Sequence, residues 1–548
     1  MAAASAAMVS ASPAEGIQPL SKIAIHKATV ELHGSAYVRV TPALLGDQGE
    51  DTVWVTVKYG WENPSSDDWI AVFSPADFIS GSCPNPRRNA DEPGLCTAPI
   101  KYQYANYSAN YRYWGKGTIR FQIINQRSDF SFALFTGGFE NPKLVAVSKA
   151  VAFKNPNAPV FPRLAQGKTH DEMTVTCPKT REAHERGSWY TYKSGHELSD
   201  GTMVWGKSYT FRAPPTPGQN SLQRIIVFGD MGKAERDGSN EFANYQPGSL
   251  NTTDTLVKDL DNYDIVFHIG DMPYANGYLS QWDQFTAQVA PISARKPYMV
   301  ASGNHERDWP NTGGFFDVKD SGGECGVPAE TMYYYPAENR ANFWYKVDYG
   351  MFRFCVADTG HDWREGTPQH KFIEECLSTV DRKHQPWLIF AAHRVLGYSS
   401  NAWYAAEGSF EEPEGRESLQ KLWQRYRVDM AFFGHVHNYE RTCPLYQSQC
   451  VTGERSHYSG TMNGTIFVVG GGGGSHLSSY TTAIPRWSVF RDQDYGFVKL
   501  TAFNHSSLLF EYKKSSDGNV YDSFTVDRDY RDVLSCVHDS CFPTTLAL

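Results

Sequence analysis

Short apolar runs separated by turns rich in Pro, Gly and Asn set the rhythm of the first 157 residues. Thr52–Lys58, Trp69–Phe73, Thr118–Ile124 and Phe130–Phe135 have strand length and alternation, so residues 25–157, behind a 24-residue tail, predict an antiparallel β-sandwich. Residues 158–215 are sparser. Met173–Thr176, Trp189–Tyr192 and Ser208–Arg212 are strand-like, but the charged stretch Cys177–Arg186 interrupts them. The segment predicts a fibronectin-III-like β domain that is incomplete, because a seven-strand sandwich needs about 100 residues. Such a domain would pack poorly and be cut by protease near 177–190. The linker Ala213-Pro-Pro-Thr-Pro-Gly218 marks a boundary.

After the linker, strand and helix alternate. Apolar residues at Leu279, Trp282, Phe285 and Val289, and at Leu419, Leu422, Trp423 and Tyr426, recur at helical spacing. Between them lie five short buried-strand patterns: Arg224–Phe228, Asp264–Ile269, Pro297–Ser302, Trp387–Ala392 and Met430–Phe433. The chain closes with β-hairpins over Tyr495–Val526, turning at Ser516–Gly518. The predicted fold class is therefore a multidomain α+β or α/β chain, with β-sandwich modules ahead of a catalytic domain at 216–548.

Each of those five strands delivers a polar group just past its carboxyl end. The series reads Gly229-Asp230-Met231-Gly232, Gly270-Asp271-Met272-Pro273-Tyr274, Gly303-Asn304-His305-Glu306, His393, and Gly434-His435-Val436-His437. A Gly-Asp-x-Gly alone is a turn, and a histidine after an apolar strand is usually a satisfied core residue. Five such groups at one sheet edge, where open α/β sheets bind ligands, carry more weight. Two carboxylates, a phenol, a carboxamide and three imidazoles are too many donors for one ion, and suit two ions sharing a carboxylate. Gly470–Gly474 lacks the Lys-Ser/Thr of a phosphate-binding loop and reads as a tight connection near the site, close to His476.

Composition narrows the class. The net charge of −9 over 548 residues, with no basic stripe, argues against a nucleic-acid partner. No apolar run approaches the roughly 20 residues that span a bilayer. Ten cysteines permit disulfides, with Cys83/Cys96, Cys443/Cys450 and Cys536/Cys541 close enough to close short loops. Sequons at Asn106, Asn251, Asn463 and Asn504 add to a secreted, glycosylated expectation. Against it, Ala2–Ala14 lacks the basic start and long apolar run of a signal peptide.

The ordered motifs GDMG, GDMPY, GNHE, a lone His393 and GHVH resemble the purple acid phosphatases of the metallophosphoesterase superfamily, over residues 220 to 530. The β modules and the tail around Tyr530–Thr545 are similar to large plant members, some described as nucleotide pyrophosphatase/phosphodiesterases. The resemblance implies a four-layer α/β/β/α catalytic domain. It implies one ion on Asp230, Tyr274 and His437, another on Asn304, His393 and His435, and Asp271 between them. The first set is hard and anionic, suiting Fe(III), and the second suits Zn, Mn or Fe in the divalent state. A ferric-bound hydroxide then attacks phosphorus, and His305 binds phosphate or protonates the leaving group. Glu306 is expected to orient His305.

One stretch departs from the pattern. Plant members carry two further histidines about nine residues after the lone one, where this chain reads Ser399-Ser400-Asn401-Ala402-Trp403-Tyr404. Trp403 and Tyr404 could stack on a base or sugar, or could be loop packing. The function implied is an acid phosphatase acting on a small phosphate ester, with a nucleotide pyrophosphatase or phosphodiesterase as the rival. A secreted binding glycoprotein with a catalytically weak site is the alternative of another class. The oligomeric state is open, a homodimer being one option.

Overall fold

The computed structural model describes residues 28–79, 98–176, 180–183, 187–198, 200–240, 246–406, 413–460 and 462–528. The 24-residue tail, the Cys83/Cys96 and Cys536/Cys541 pairs, the 530–545 tail and parts of 177–190 lie outside the described residues. The chain divides into two compact units, one comprising Met1–Asn157 with Glu235–Tyr245 and the other Ala158–Ala234 with Gln246–Leu548.

In the first unit a three-stranded sheet (Tyr37–Thr41, Thr52–Gly60, Lys116–Ile124) and a five-stranded sheet enclose a single core. Alternation along Thr52–Gly60 explains it: Val55, Val57 and Tyr59 are fully buried while Trp54 is 41% exposed. Lys101, 2% exposed, donates to Glu235 Oε2 at 2.8 Å, Asp237 Oδ2 at 2.7 Å and the Gln122 carbonyl at 2.6 Å. The sandwich thereby holds the segment that follows the Gly229–Gly232 motif in sequence. Lys101→Met would strand two carboxylates without their cation and should cost about 3–5 kcal/mol, read as a lower melting temperature of this unit.

Among the described residues, the 158–215 stretch forms no closed sandwich. It forms a three-stranded antiparallel sheet (Arg163–Gln166, Glu172–Thr176, Thr180–Ala183) and a hairpin (Trp189–Glu197 with Met203–Arg212) over a small core of Leu164, Met173 and Phe211. It clusters with the metal-motif residues in the second unit instead of standing as a separate domain. So few strands cannot close two facing sheets.

The motif-bearing strands are β1 (Gln223–Phe228), β2 (Ile265–Ile269), β3 (Tyr298–Ala301), β4 (Trp387–Ala392) and β5 (Met430–Phe433). One sheet carries β3-β2-β1 in parallel, extended by the C-terminal strands Gly496–Ala502, Ser507–Lys514 and Val520–Asp527. The other carries β4 and β5 in parallel between Phe352–Val356 and Thr465–Gly470. The faces of β4 show why two sheets stack. Ile389 and Ala391 join the core shared by both sheets, while Leu388, Phe390 and Ala392 join the core beneath two helices, Pro368–Ser378 and Pro413–Arg425. Phe267 of β2 stacks on Phe354 of the opposite sheet at 4.1 Å. The outer face of the first sheet is covered by Gly248–Lys258 and Leu279–Ser293, through Leu256, Trp282, Phe285 and Val289. The result is the expected α/β/β/α layering.

Two disulfides are described. Cys443–Cys450 is one of the three expected pairs, whereas Cys355–Cys376, 21 residues apart, ties a strand to the Pro368–Ser378 helix and has no short-loop signature in the sequence.

Candidate metal centre

All five motifs emerge at the carboxyl ends of parallel strands and their side chains meet. Tyr274 Oη lies 3.1 Å from Asp230 Oδ1 and 3.0 Å from His437 Nε2, which is itself 3.0 Å from Asp230 Oδ1. On the other side, His393 Nε2 lies 3.2 Å from Asp271 Oδ2 and 3.0 Å from Asn304 Oδ1. His435 Nδ1 is also 3.0 Å from Asn304 Oδ1. The ligand atoms of Asp230, Asp271 and His437 lie within 4.8 Å of one another, as do those of Asp271, His393 and His435. Asp271 belongs to both groups.

The local backbone is shaped for this convergence. Asp230, Asp271, Tyr274 and His435 all adopt positive φ (60°, 52°, 53° and 65°), a conformation costing non-glycine residues about 1–3 kcal/mol each. Glycines provide the clearance: a Cβ on Gly303 would sit 2.1 Å from Asp271 Oδ1, and one on Gly434 2.6 Å from Asp230 Oδ2. The Gly470–Gly474 run acts as the tight connection expected of it, with Gly229 donating to the Gly470 carbonyl, Gly473 to the Gly229 carbonyl, and Ser475 to the Asp230 carbonyl.

Hydrogen bonds then set each donor. His393 Nδ1 faces the Ile269 carbonyl at 2.9 Å, leaving Nε2 for the site. Asn304 Nδ2 donates to Asp320 Oδ2 at 2.8 Å, which turns its carbonyl oxygen inward. Glu306 accepts from the amides of Asp271 and Gly303 on one oxygen and Met272 on the other, at 2.8–2.9 Å. It thus holds the Asp271 turn against the Gly303 turn. This corrects the expectation that Glu306 orients His305. That task falls to Asn276, whose Oδ1 lies 2.9 Å from His305 Nδ1, while the Tyr274 ring flanks His305 at 4.5 Å.

The electrostatics of the donor set suit bound cations. Burial and the charges of Asp230 and Asp271 push the Tyr274 phenol well above its ordinary value, so a cation is needed to ionise it. Burial opposes ionisation of Asp271, yet His393 and His305 hold it well below the usual carboxylate range. Burial disfavours the charged form of His393, but Asp271 and Asp230 raise it to about 9. Two buried carboxylates with no Lys or Arg among the partners described for them, a carboxamide oxygen turned inward and a phenol beside Asp230 fit a pair of cations.

The chain matches three family models in order: the Fn3-like domain from Purple Acid Phosphatase over residues 38–155, Calcineurin-like phosphoesterase over 223–439, and Iron/zinc purple acid phosphatase-like protein C over 464–523. It is 60% identical to "Probable inactive purple acid phosphatase 27" of Arabidopsis thaliana, across 97% of this chain and 96% of that one. The chain belongs to the purple acid phosphatase family. Another family relative, the "Nucleotide pyrophosphatase/phosphodiesterase" of Hordeum vulgare, is 91% identical over 64% of this chain and 95% of its own length. The solved purple acid phosphatase PPD1 from yellow lupin seeds superposes with a TM-score of 0.88 at 56% identity, covering 94% of this chain and 100% of that one. The fibronectin-type model falls on the N-terminal sandwich, over 38–155.

Two substrate-binding expectations separate. The Trp403 ring lies 6.0 Å from the His435 ring, edge to face, beside the site. Tyr404 is 6% exposed, packs in the core beneath the helices and sends its hydroxyl toward the Val395 carbonyl at 3.3 Å. Its ring has no face left for a substrate, which corrects the stacking role expected for it. Among the sequons, Asn251 and Asn504 are exposed, whereas Asn106 donates to the Ser66 carbonyl and Asn463 accepts from Arg427 at 2.6 Å.

Sequence reasoning missed Arg394, which sits directly after His393 with its guanidinium 3.1 Å from His435 Nε2, and its acidic partner Asp308. The only signal was adjacency to the lone histidine. Asn276 was missed as well, because an asparagine in a Tyr-Ala-Asn-Gly turn reads as turn chemistry.

Proposed function

We propose that this chain hydrolyses phosphoric esters at two metal ions, an Fe(III) on Asp230, Tyr274 and His437 and a divalent Zn, Mn or Fe ion on Asn304, His393 and His435, with Asp271 shared. The observation that carries this reading is the sorting of the donor atoms into two groups with Asp271 in common. When bound, such a pair supplies Lewis acidity toward phosphoryl oxygen and acidifies water near neutral or acid pH. The protein's own residues do the rest. Glu306 fixes the Asp271 turn, so the shared carboxylate is preorganised. His305, with Nδ1 held by Asn276, has Nε2 available to bind phosphate or to protonate a leaving oxygen. Secretion is part of the proposal, supported by two disulfides and by exposed sequons at Asn251 and Asn504. Among the described residues no helix is long and apolar enough to cross a membrane.

A second reading, hydrolysis of a nucleotide diester or pyrophosphate, is favoured by Trp403 beside His435, by the missing histidine pair and by the name of the barley relative. Comparing turnover of an aryl phosphate with that of a nucleoside diphosphate sugar separates the two, and preference for the monoester would remove the stacking role of Trp403. The reading of another class, a binding glycoprotein with a catalytically weak site, draws on the "probable inactive" name of the Arabidopsis relative. It predicts hydrolysis of neither ester by the metal-loaded chain.

A further inference from the structure

His305 meets Asn276 across two separate turns, and one segment, residues 321–326, is fastened to both. Its Gly326 amide donates to the Glu306 carbonyl at 2.8 Å, and its Ser321 amide to the Asp308 carbonyl at 3.1 Å. These bonds tie it to the helical turn Asn304–Arg307, which carries His305, and to the residue after that turn. On the other side, Glu324 Oε1 accepts the Gly277 amide at 2.8 Å, one residue past Asn276. Its Oε2 accepts the Trp282 indole N–H at 2.9 Å, on the helix Leu279–Ser293. Gly322 closes the fit, since a Cβ there would lie 2.2 Å from the Asn276 carbonyl carbon.

Glu324 is an unusual residue for such a clasp. It is 7% exposed, the partners of its side chain are uncharged N–H donors, and burial pushes its carboxyl up to about 7. An apolar side chain would avoid that desolvation, but it could not accept two N–H groups. Asn276 needs to be held. Its φ of 48° lies in the left-handed region, which is strained for a residue other than glycine.

We infer that Glu324 is a positioning residue: through the Gly277 amide it fixes Asn276, and through Asn276 the angle at which His305 meets phosphate. This rests on the role given to His305 in the proposed reaction. Without the clasp the strained turn relaxes, and Asn276 Oδ1 moves off His305 Nδ1, which it meets at 2.9 Å.

The test is a double-mutant cycle in the metal-loaded, full-length chain, using wild type, Glu324→Gln, His305→Ala and the two changes together. Glutamine keeps the volume but turns an amino group toward one of the two donors, so one bond of the clasp is lost. Hydrolysis of an aryl phosphate and binding of inorganic phosphate are read beside metal content and the visible spectrum. Glu324→Gln should lose about 10- to 100-fold in kcat/KM, with metals and colour unchanged. Added to His305→Ala, it should lower kcat/KM by less than about twofold more. Losses that multiply, full activity in Glu324→Gln, or loss of metal from it would each overturn the inference and leave the two-ion reading standing. Glu324→Asp, which withdraws the carboxylate by one methylene, enters the same cycle should the glutamine variant not fold. Full turnover in His305→Ala would overturn the role of His305 and the inference with it. If wild type hydrolyses neither the aryl phosphate nor a nucleoside diphosphate sugar, the hydrolysis reading falls. The same pattern in phosphate affinity then decides the inference.

Discussion

Asp271→Asn should leave a folded chain that has lost at least one of its ions and more than about 10³-fold in turnover, equivalent to ~4 kcal/mol of transition-state stabilisation. Asp271 is the one side chain common to both ligand groups, with Oδ2 3.2 Å from His393 Nε2 and Oδ1 accepting the His305 amide at 3.0 Å. Asparagine keeps the shape and tolerates the positive φ of 52° at this position, so the turn survives while the shared negative charge is removed. Glu306 holds the turn through main-chain amides, which the substitution leaves in place. Circular dichroism and metal analysis beside the kinetics separate loss of ions from loss of fold. Full metal content with undiminished turnover would show that Asp271 is not shared.

Tyr274→Phe should abolish visible absorption and lower the iron content. The phenol sits between Asp230 and His437 at 3.1 and 3.0 Å, and the ring is 6% exposed. Were Tyr274 only a packing residue, phenylalanine would fill the same volume and the change would be nearly neutral. Were it a ligand, the variant would lack the phenolate that gives a ferric site its charge-transfer colour and much of its preference for a trivalent ion. An absorption spectrum read beside iron analysis distinguishes these outcomes in one preparation.

Much of this arrangement was legible before any coordinates. Trp387–Ala392 and Met430–Phe433 have the same bounds in the sequence pattern and in the fold, because continuous apolar runs between turn signals have few alternatives. The seven candidate ligands were legible because each follows such a run, and strand ends bring distant residues together. Other features depend on tertiary contact and leave little trace in sequence. The Cys355–Cys376 disulfide joins a strand to a helix 21 residues later. Glu306 reaches the Asp271 turn through a fold that spacing does not specify. Tyr404 follows Trp403 directly, yet only packing shows that the half-buried Trp403 ring lies 6.0 Å from His435 while Tyr404 is enclosed in the core. The 158–215 stretch, read from its length as too short for a sandwich, owes its placement to the same kind of contact. Five strands too few for a sandwich form small sheets within the second compact unit.

Metal content per chain after reconstitution with iron and excess zinc tests the central claim most directly. The account predicts two ions per chain, one of them ferric with visible absorption. A chain that retains at most one ion, colourless under every loading condition, would contradict it.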